Sequence, residues 1–123
     1  MVAELSLQIA GGPDAPSEAR AALRRFHAEL APDLMQVIVL LASELVANAV
    51  KHARAELVAI RFAVFPERVR VEVADEGPGF TEIPEKPEPS QIGGWGLHLV
   101  DELSSRWGVV DAPGARVWFE IDR

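Results

Sequence analysis

Two polar side chains in an otherwise apolar segment are the first candidates for chemistry. Glu44 and Asn48 are four residues apart within residues 34–50, a stretch rich in leucine, valine and alanine. In a helix this spacing places both on one face, with Lys51 and His52 a further turn along. Carboxylate and amide oxygens are hard ligands that hold Mg²⁺ or orient water. A solvent-exposed helix edge explains the same pair equally well, so the spacing alone leaves both interpretations open.

Asp75 is a third candidate because of its place in a strand pattern. Val69, Val71 and Val73 alternate with other residues, and Asp75 continues the same alternation. The period of two predicts that its carboxylate projects on the apolar face, where it is costly unless bonded. There it could accept a hydrogen bond from the exocyclic amine of adenine. Bonding to local backbone N–H groups before a glycine turn is the alternative.

Glycines follow Asp75 and open the last predicted helix. Gly77 and Gly79 would allow the backbone to approach a purine ring. The run Gly-Gly-Trp-Gly at 93–96 lies where a helix begins, and N–H groups at a helix start bind phosphate. Trp95 within it either covers a nucleotide or packs on the core or a partner. A glycine cluster by itself is weak evidence for a phosphate site.

The elements that must position these residues follow from the hydrophobic pattern. Strand, two helices, hairpin, loop, helix and hairpin predict an α/β two-layer sandwich: a mixed, largely antiparallel five-stranded sheet with three helices on one face. Residues 80–93, rich in proline and charge, are predicted to form a flexible lid. The predicted strands are 5–9, 56–65, 69–75, 107–111 and 116–121, and the predicted helices are 16–30, 32–53 and 96–104.

Composition narrows the class of protein. A chain of 123 residues with 49% hydrophobic and 25% charged residues is predicted to form one globular domain over 1–123. The absence of cysteine excludes disulfides, thiolate zinc sites and cysteine nucleophiles, and fits a cytoplasmic location. A net charge of -7 argues against direct nucleic-acid binding. No apolar run approaches the roughly 18 residues of a spanning helix, so no membrane association is expected.

Three motifs in this order resemble the GHKL superfamily, which includes gyrase-type ATPases, sensor histidine kinases and MutL. Residues 44–53 (ELVANAVKHA) look like its N box, residues 75–80 (DEGPGF) like its G1 box and residues 94–97 (GWGL) like its G2 box. The resemblance covers residues 1–123. It implies a Bergerat-type ATP-binding fold with ATP and Mg²⁺ as cofactors.

The resemblance also implies roles for individual residues. Asn48 would coordinate Mg²⁺, Glu44 would act as the general base or orient water, and Asp75 would recognise adenine. The remaining candidates for nucleotide binding are Lys51, His52, Gly77, Gly79, Gly93, Gly94, Trp95, Gly96 and Leu97.

Within the superfamily, the short length and residues 96–109 look closest to bacterial anti-sigma regulatory factors of the serine-kinase type. This implies phosphorylation of a serine on an anti-anti-sigma (STAS-type) partner, binding of a sigma factor, and a homodimer. A long helical hairpin carrying a phosphoacceptor histidine, as in a sensor kinase, is not evident in the sequence.

Three positions depart from the family pattern. The last hairpin has Ala115 and Arg116 where a threonine usually joins the aspartate at adenine, and Ile92 stands where an arginine usually meets the γ-phosphate. A lost neutral hydrogen bond costs roughly 0.5–1.5 kcal/mol, which weakens binding without abolishing it. A nucleotide-gated binding module without phosphotransfer, and an interaction domain with a vestigial nucleotide site, therefore stay open as alternatives.

Overall fold

The computed structural model describes residues 2–51, 56–75, 95–111 and 115–123. In these parts, five strands and three helices form the predicted α/β sandwich, which is thereby confirmed. The sheet order is β1-β2-β3-β5-β4, and all of its pairings are antiparallel. The elements are β1 Ala3–Ala10, α1 Ala15–Arg24, α2 Pro32–Lys51, β2 Leu57–Val64, β3 Arg68–Asp75, α3 Trp95–Leu103, β4 Arg106–Asp111 and β5 Ala115–Asp122.

The inner face of the sheet carries the side chains that the alternation predicted. Val69, Val71, Val73 and Asp75 are all buried, and they alternate with partly exposed residues along β3. Along β5, Phe119 is fully buried on the same face. Because neighbouring strands are in register, these residues form one apolar layer beneath the helices.

Helix α2 forms the centre of the core, because apolar residues surround most of its circumference. Ile38, Leu41, Ala42 and Val46 have no exposed surface. The sequence analysis predicted that no apolar run approaches the length of a membrane-spanning helix. That prediction was wrong, because α2 is long and apolar enough to cross a membrane by length and composition. Since more than half of it is buried inside the domain, its hydrophobicity is accounted for by packing in the core.

Helix α1 is shorter than predicted. It ends at Arg24, whereas the apolar spacing predicted a helix to residue 30. The backbone N–H groups of Arg25, Phe26 and His27 bond to carbonyls three residues back, which is the tighter pattern of a closing helical turn. This turn brings the Phe26 ring 5.0 Å from the ring of Phe62 on β2. Residues after Arg24 therefore form a tight turn that packs Phe26 on the sheet, and they do not continue α1.

The outer face of the sheet carries a lattice of ion pairs centred on Glu120. Its carboxylate accepts hydrogen bonds from Arg106 at 3.0 Å and Arg70 at 3.2 Å, and Arg68 lies at 3.4 Å. Burial raises the pKa of Glu120, but these hydrogen bonds and the nearby arginine charges outweigh burial, so its pKa is lowered. The ion pairs join β3, β4 and β5 across the sheet.

Replacing Glu120 by glutamine should make the stability of the protein less dependent on pH. The lowered folded-state pKa means that the carboxylate stabilises the fold above its unfolded pKa, and that this contribution is lost as pH falls through the folded-state value. Wild type should therefore unfold at higher denaturant than Glu120→Gln at neutral pH, and the difference should shrink on acidification. Urea titrations across the acid range would measure it. A difference that stays constant or grows with acid contradicts the assignment.

Candidate functional site

A narrow cavity lies where α2, β3, β5 and α3 meet. It is enclosed by polar groups from α2 and β3 within apolar walls. Its volume is only about 10 Å³, room for roughly one water molecule, so a larger ligand requires the walls to move. The lining residues are Leu45, Asn48, Ala49, Val73, Asp75, Leu97 and Val117.

Asn48 reaches this cavity from the centre of α2. The residue is 6% exposed, and its Oδ1 atom is buried without a hydrogen-bond partner among the described residues. A buried carbonyl oxygen in that position costs about 1–3 kcal/mol in lost hydration. An amide oxygen with unused acceptor capacity fits a Mg²⁺ ion, a water or an N–H donor, so the chemistry of this atom is compatible with the predicted ligand.

Asp75 reaches the cavity from the end of β3. It pairs with Val58 of β2 in the sheet register, and it is 3% exposed. The alternation of β3 places its carboxylate on the inner face, as predicted, directly against the cavity that Asn48 lines. The structure thus brings together two of the predicted site residues that are 27 positions apart in the sequence (75 minus 48).

Glu44 lies in a different concavity. It is half-buried and lines a groove between α1 and α2 instead of the cavity around Asn48. The two side chains are one helical turn apart, about 6 Å along the axis of α2. Although the two residues lie one turn apart on α2, Glu44 lines the groove and Asn48 lines the cavity.

Helix α3 closes one side of the cavity through Leu97, which is 5% exposed. The helix begins at Trp95, consistent with a helix start at the glycine run. The indole N–H of Trp107 on β4 donates a hydrogen bond to Asp101 at 2.8 Å, which ties α3 to the sheet. This tie fixes the wall that Leu97 forms.

The other predicted residues have varied positions. Lys51 is exposed at the end of α2. Trp95 and Gly96 belong to the first turn of α3. The surroundings of the Trp95 side chain lie outside the described part of the structure. The positions outside the described residues are His52, Gly77, Gly79, Gly94 and the whole predicted lid at 80–93, which includes Ile92 and Gly93.

Sequence reasoning missed the apolar walls of the cavity. Leu45 and Ala49 lie three residues before and one residue after Asn48 on α2, and Val117 projects from the inner face of β5. Helical spacing could have identified Leu45, because residues three apart share a helix face. The contribution of β5 depends on which strand lies beside β3, and the sequence does not specify that neighbour.

A complete metal cage is not formed by the described side chains alone. In these parts of the chain, no group of three His, Asp or Glu residues lies close enough to hold a metal ion. Mg²⁺ usually binds through one or two protein oxygens together with water and substrate phosphates, so a cluster of three such side chains is not required for it.

Comparison with protein families identifies the class of domain. The model of the histidine kinase-like ATPase domain matches residues 10–121, which is most of the chain. The chain therefore belongs to the family of histidine kinase-like ATPase domains, and the resemblance to the GHKL superfamily is confirmed. The closer likeness to anti-sigma factors stays a prediction.

Solved structures show the same fold. The histidine kinase domain from the Erythrobacter litoralis EL346 blue-light activated histidine kinase is 23% identical, with a TM-score of 0.58 over 86% of this chain. A longer structure of that Erythrobacter litoralis kinase is also 23% identical, with a TM-score of 0.62 over 92% of this chain. The chain spans 58% and 42% of the two structures, respectively, and the likeness concerns the fold alone. A comparison with curated proteins found no match.

Substituting Asn48 by leucine should stabilise the protein while removing the polar atom from the cavity. Leucine has a similar shape, and the unpaired Oδ1 costs about 1–3 kcal/mol, so the free energy of unfolding should rise by up to that amount. Chemical denaturation would measure it. Ser43→Ala is the matched control: the Ser43 hydroxyl already donates to the Leu40 carbonyl at 3.0 Å, so its loss should not stabilise. Destabilisation by Asn48→Leu would show that Oδ1 is satisfied.

Proposed function

We propose that this domain is an ATP-dependent protein serine kinase that phosphorylates a serine of an anti-anti-sigma (STAS-type) protein and regulates a sigma factor. One observation carries the nucleotide part: Asn48 and Asp75 meet in one buried, apolar-walled cavity of a histidine kinase-like ATPase domain. The partner identities rest on the resemblance of residues 96–109 to anti-sigma factors. By the same resemblance, the protein would be a cytoplasmic homodimer.

Once the walls of the cavity have moved apart, its two polar side chains would contact different parts of the nucleotide. The Asp75 carboxylate would accept a hydrogen bond from the exocyclic amine of adenine, between walls formed by Val73 and Val117. The Asn48 Oδ1 atom would be a ligand of Mg²⁺, which offsets negative charge on the phosphates when bound. N–H groups at the start of α3 would face the phosphates.

Glu44 would serve the transfer step as the base. The serine oxygen of the partner attacks the γ-phosphorus, the bond from that phosphorus to the β,γ-bridging oxygen breaks, and Glu44 takes the hydroxyl proton. The products are phosphoserine and ADP. The half-buried Glu44 is suited to this role because it faces an open groove from which a protein hydroxyl can arrive.

A second candidate function is nucleotide-gated binding without transfer. Arg116 stands at one of the positions where the family usually carries a threonine, and its side chain pairs with Glu72 at 3.0 Å. Glu72 belongs to the outer face of β3, so Arg116 points away from the cavity and does not supply the missing hydrogen bond. This favours weaker nucleotide binding than in relatives with a hydroxyl.

Replacing Glu44 by glutamine should separate transfer from binding. The variant should bind Mg-ATP with nearly unchanged affinity, because Glu44 lies outside the cavity, but transfer to the serine should fall roughly 10²- to 10⁴-fold with loss of the base. Labelled ATP, Mg²⁺ and a verified anti-anti-sigma partner would measure transfer, and calorimetry would measure binding. Glu4→Gln, an exposed carboxylate on β1 at the outer face of the sheet, is the matched control.

Two results would decide between the proposed functions. Absence of any label from wild type with a verified partner overturns the kinase, and ATP binding in the same sample then supports the gated module. Absence of Mg-nucleotide binding at millimolar concentration overturns both and favours a vestigial site.

Replacing Asp75 by asparagine should weaken ATP binding and narrow the preference for ATP over GTP. A hydrogen bond to a charged acceptor contributes about 1.5–3 kcal/mol, so the affinity for ATP should fall roughly ten- to a hundredfold. Guanine presents a carbonyl where adenine has its amine; a carboxylate repels that carbonyl, whereas an asparagine amide donates to it. Calorimetry with both nucleotides would measure the ratio, with Ser43→Ala as control. An unchanged ratio contradicts the role of Asp75.

A further inference from the structure

The groove between α1 and α2 is a second concave surface, distinct from the cavity around Asn48. Its volume is about 370 Å³, and it is open to solvent on one side. Met35 and Val39 are buried residues of α2 that form its floor, and Leu40 beside them is 41% exposed. Exposed apolar surface of this kind, a leucine beside a concave apolar floor, is typical of a site that a binding partner covers. The groove therefore has an apolar floor that can accept an aliphatic side chain.

Two arginines give this groove a positive charge. Arg20 and Arg24 lie four residues apart on α1, so they project from one face of that helix into the groove. Neither forms an ion pair with any residue in the described parts of the chain. Arg68, Arg70 and Arg106 on the sheet differ, since each is paired with Glu120. The arginines of the groove thus have unused capacity to bind carboxylates.

The positive charge is local, because the chain as a whole carries a net charge of -7. At physiological ionic strength charges are screened over about 8 Å, so a segment within the groove responds mainly to the charged residues of its lining. These are Arg20, Arg24 and the carboxylate Glu44, which together leave the groove net positive. An acidic segment is attracted there, and a basic segment is repelled. The charge of the groove therefore selects between partners by the sign of their charge.

Glu44 marks the end of the groove that faces the nucleotide cavity. It lines the groove, whereas Asn48, one turn further along α2, lines the cavity. Residues 36, 40 and 44 follow one another at intervals of four, so the exposed edge of α2 leads from the groove to Glu44. A chain lying in the groove can therefore bring a hydroxyl to Glu44 without entering the cavity.

We propose that the α1/α2 groove binds the segment of the protein substrate that carries the phosphorylated serine. This segment would have an aliphatic side chain on Met35 and Val39, and acidic side chains against Arg20 and Arg24. The serine would lie at the Glu44 end. The position of the serine at Glu44 rests on the proposed kinase function. Binding of the segment in the groove does not, because it needs no nucleotide.

The test uses two synthetic peptides and the methyl NMR signals of the groove. One capped peptide contains serine, leucine and glutamate residues spaced by glycine, and the other has lysine in place of each glutamate. The glutamate peptide should shift the methyl signals of Met35, Val39 and Leu40 in a saturable way, and added salt should weaken this binding. The lysine peptide should cause no saturable shift. Equal shifts with both peptides, or none with either, overturn the proposal.

Charge reversal in the groove provides the decisive variant. The double substitution Arg20→Glu and Arg24→Glu should lower affinity for the glutamate peptide at least about tenfold and create affinity for the lysine peptide. The matched control is the double substitution Arg25→Glu and Arg61→Glu, which makes the same change in net charge at two exposed arginines that do not line the groove. If the control has the same effect as the double variant, net charge and not the groove explains binding, and the proposal fails.

Two further measurements distinguish substrate binding in the groove from the proposed kinase function and from contact between two copies of the chain. The Kd for Mg-ATP should be the same in wild type and in the double variant. If neither protein binds Mg-ATP, the proposed kinase function fails, and the groove proposal is unaffected. With a verified protein substrate, the double variant should raise the KM for that protein and leave the KM for ATP unchanged. Methyl shifts that appear on concentrating the protein without peptide would assign the groove to contact between two copies and overturn the proposal.

Discussion

The burial of α2 is the constraint on which the candidate site depends. Because apolar side chains of the sheet and of the other helices cover this helix, a polar group on its inner surface is removed from water. Asn48 is such a group, and its Oδ1 atom has no hydrogen-bond partner among the described residues. A buried oxygen that neither water nor a ligand bonds costs about 1–3 kcal/mol. Asn48 lies where β3 ends in the buried Asp75. An amide oxygen without a partner among the described residues, beside a buried carboxylate in an apolar core, is suited to binding a ligand.

The distribution of charge then determines how an acidic domain can hold an anionic nucleotide. On the outer sheet face, opposite the cavity, Arg70 and Arg106 are paired with Glu120, and Arg116 is paired with Glu72. The carboxylate in the cavity, Asp75, suits an amine of the base and would repel phosphate. In the proposed nucleotide complex, backbone N–H groups at the start of α3 and a divalent cation would neutralise the phosphates.

The sequence predicted the parts of this arrangement that depend on periodicity. Alternation in β3 placed Asp75 on the inner face, and helical spacing placed Asn48 on α2. The end of α1 was misjudged, because Phe26 packs on Phe62 of a distant strand, and local spacing contains no information about that contact. The separation of Glu44 from Asn48 was missed for the same reason: shared helix face follows from spacing, but the boundary between two concavities depends on how α1 packs against α2.

That separation bears on the proposed kinase activity. A base inside the nucleotide cavity would act on whatever water enters with ATP, whereas Glu44 faces a groove open to solvent. Water and a protein hydroxyl can both reach it there, and the two lead to hydrolysis and to transfer, respectively. In the proposed kinase, a segment that fills the groove would exclude water from Glu44 and present its own hydroxyl in the same place. What occupies the groove would then decide between hydrolysis and transfer, and residues such as Arg20 that select the occupant would affect the outcome although they line the groove and not the cavity.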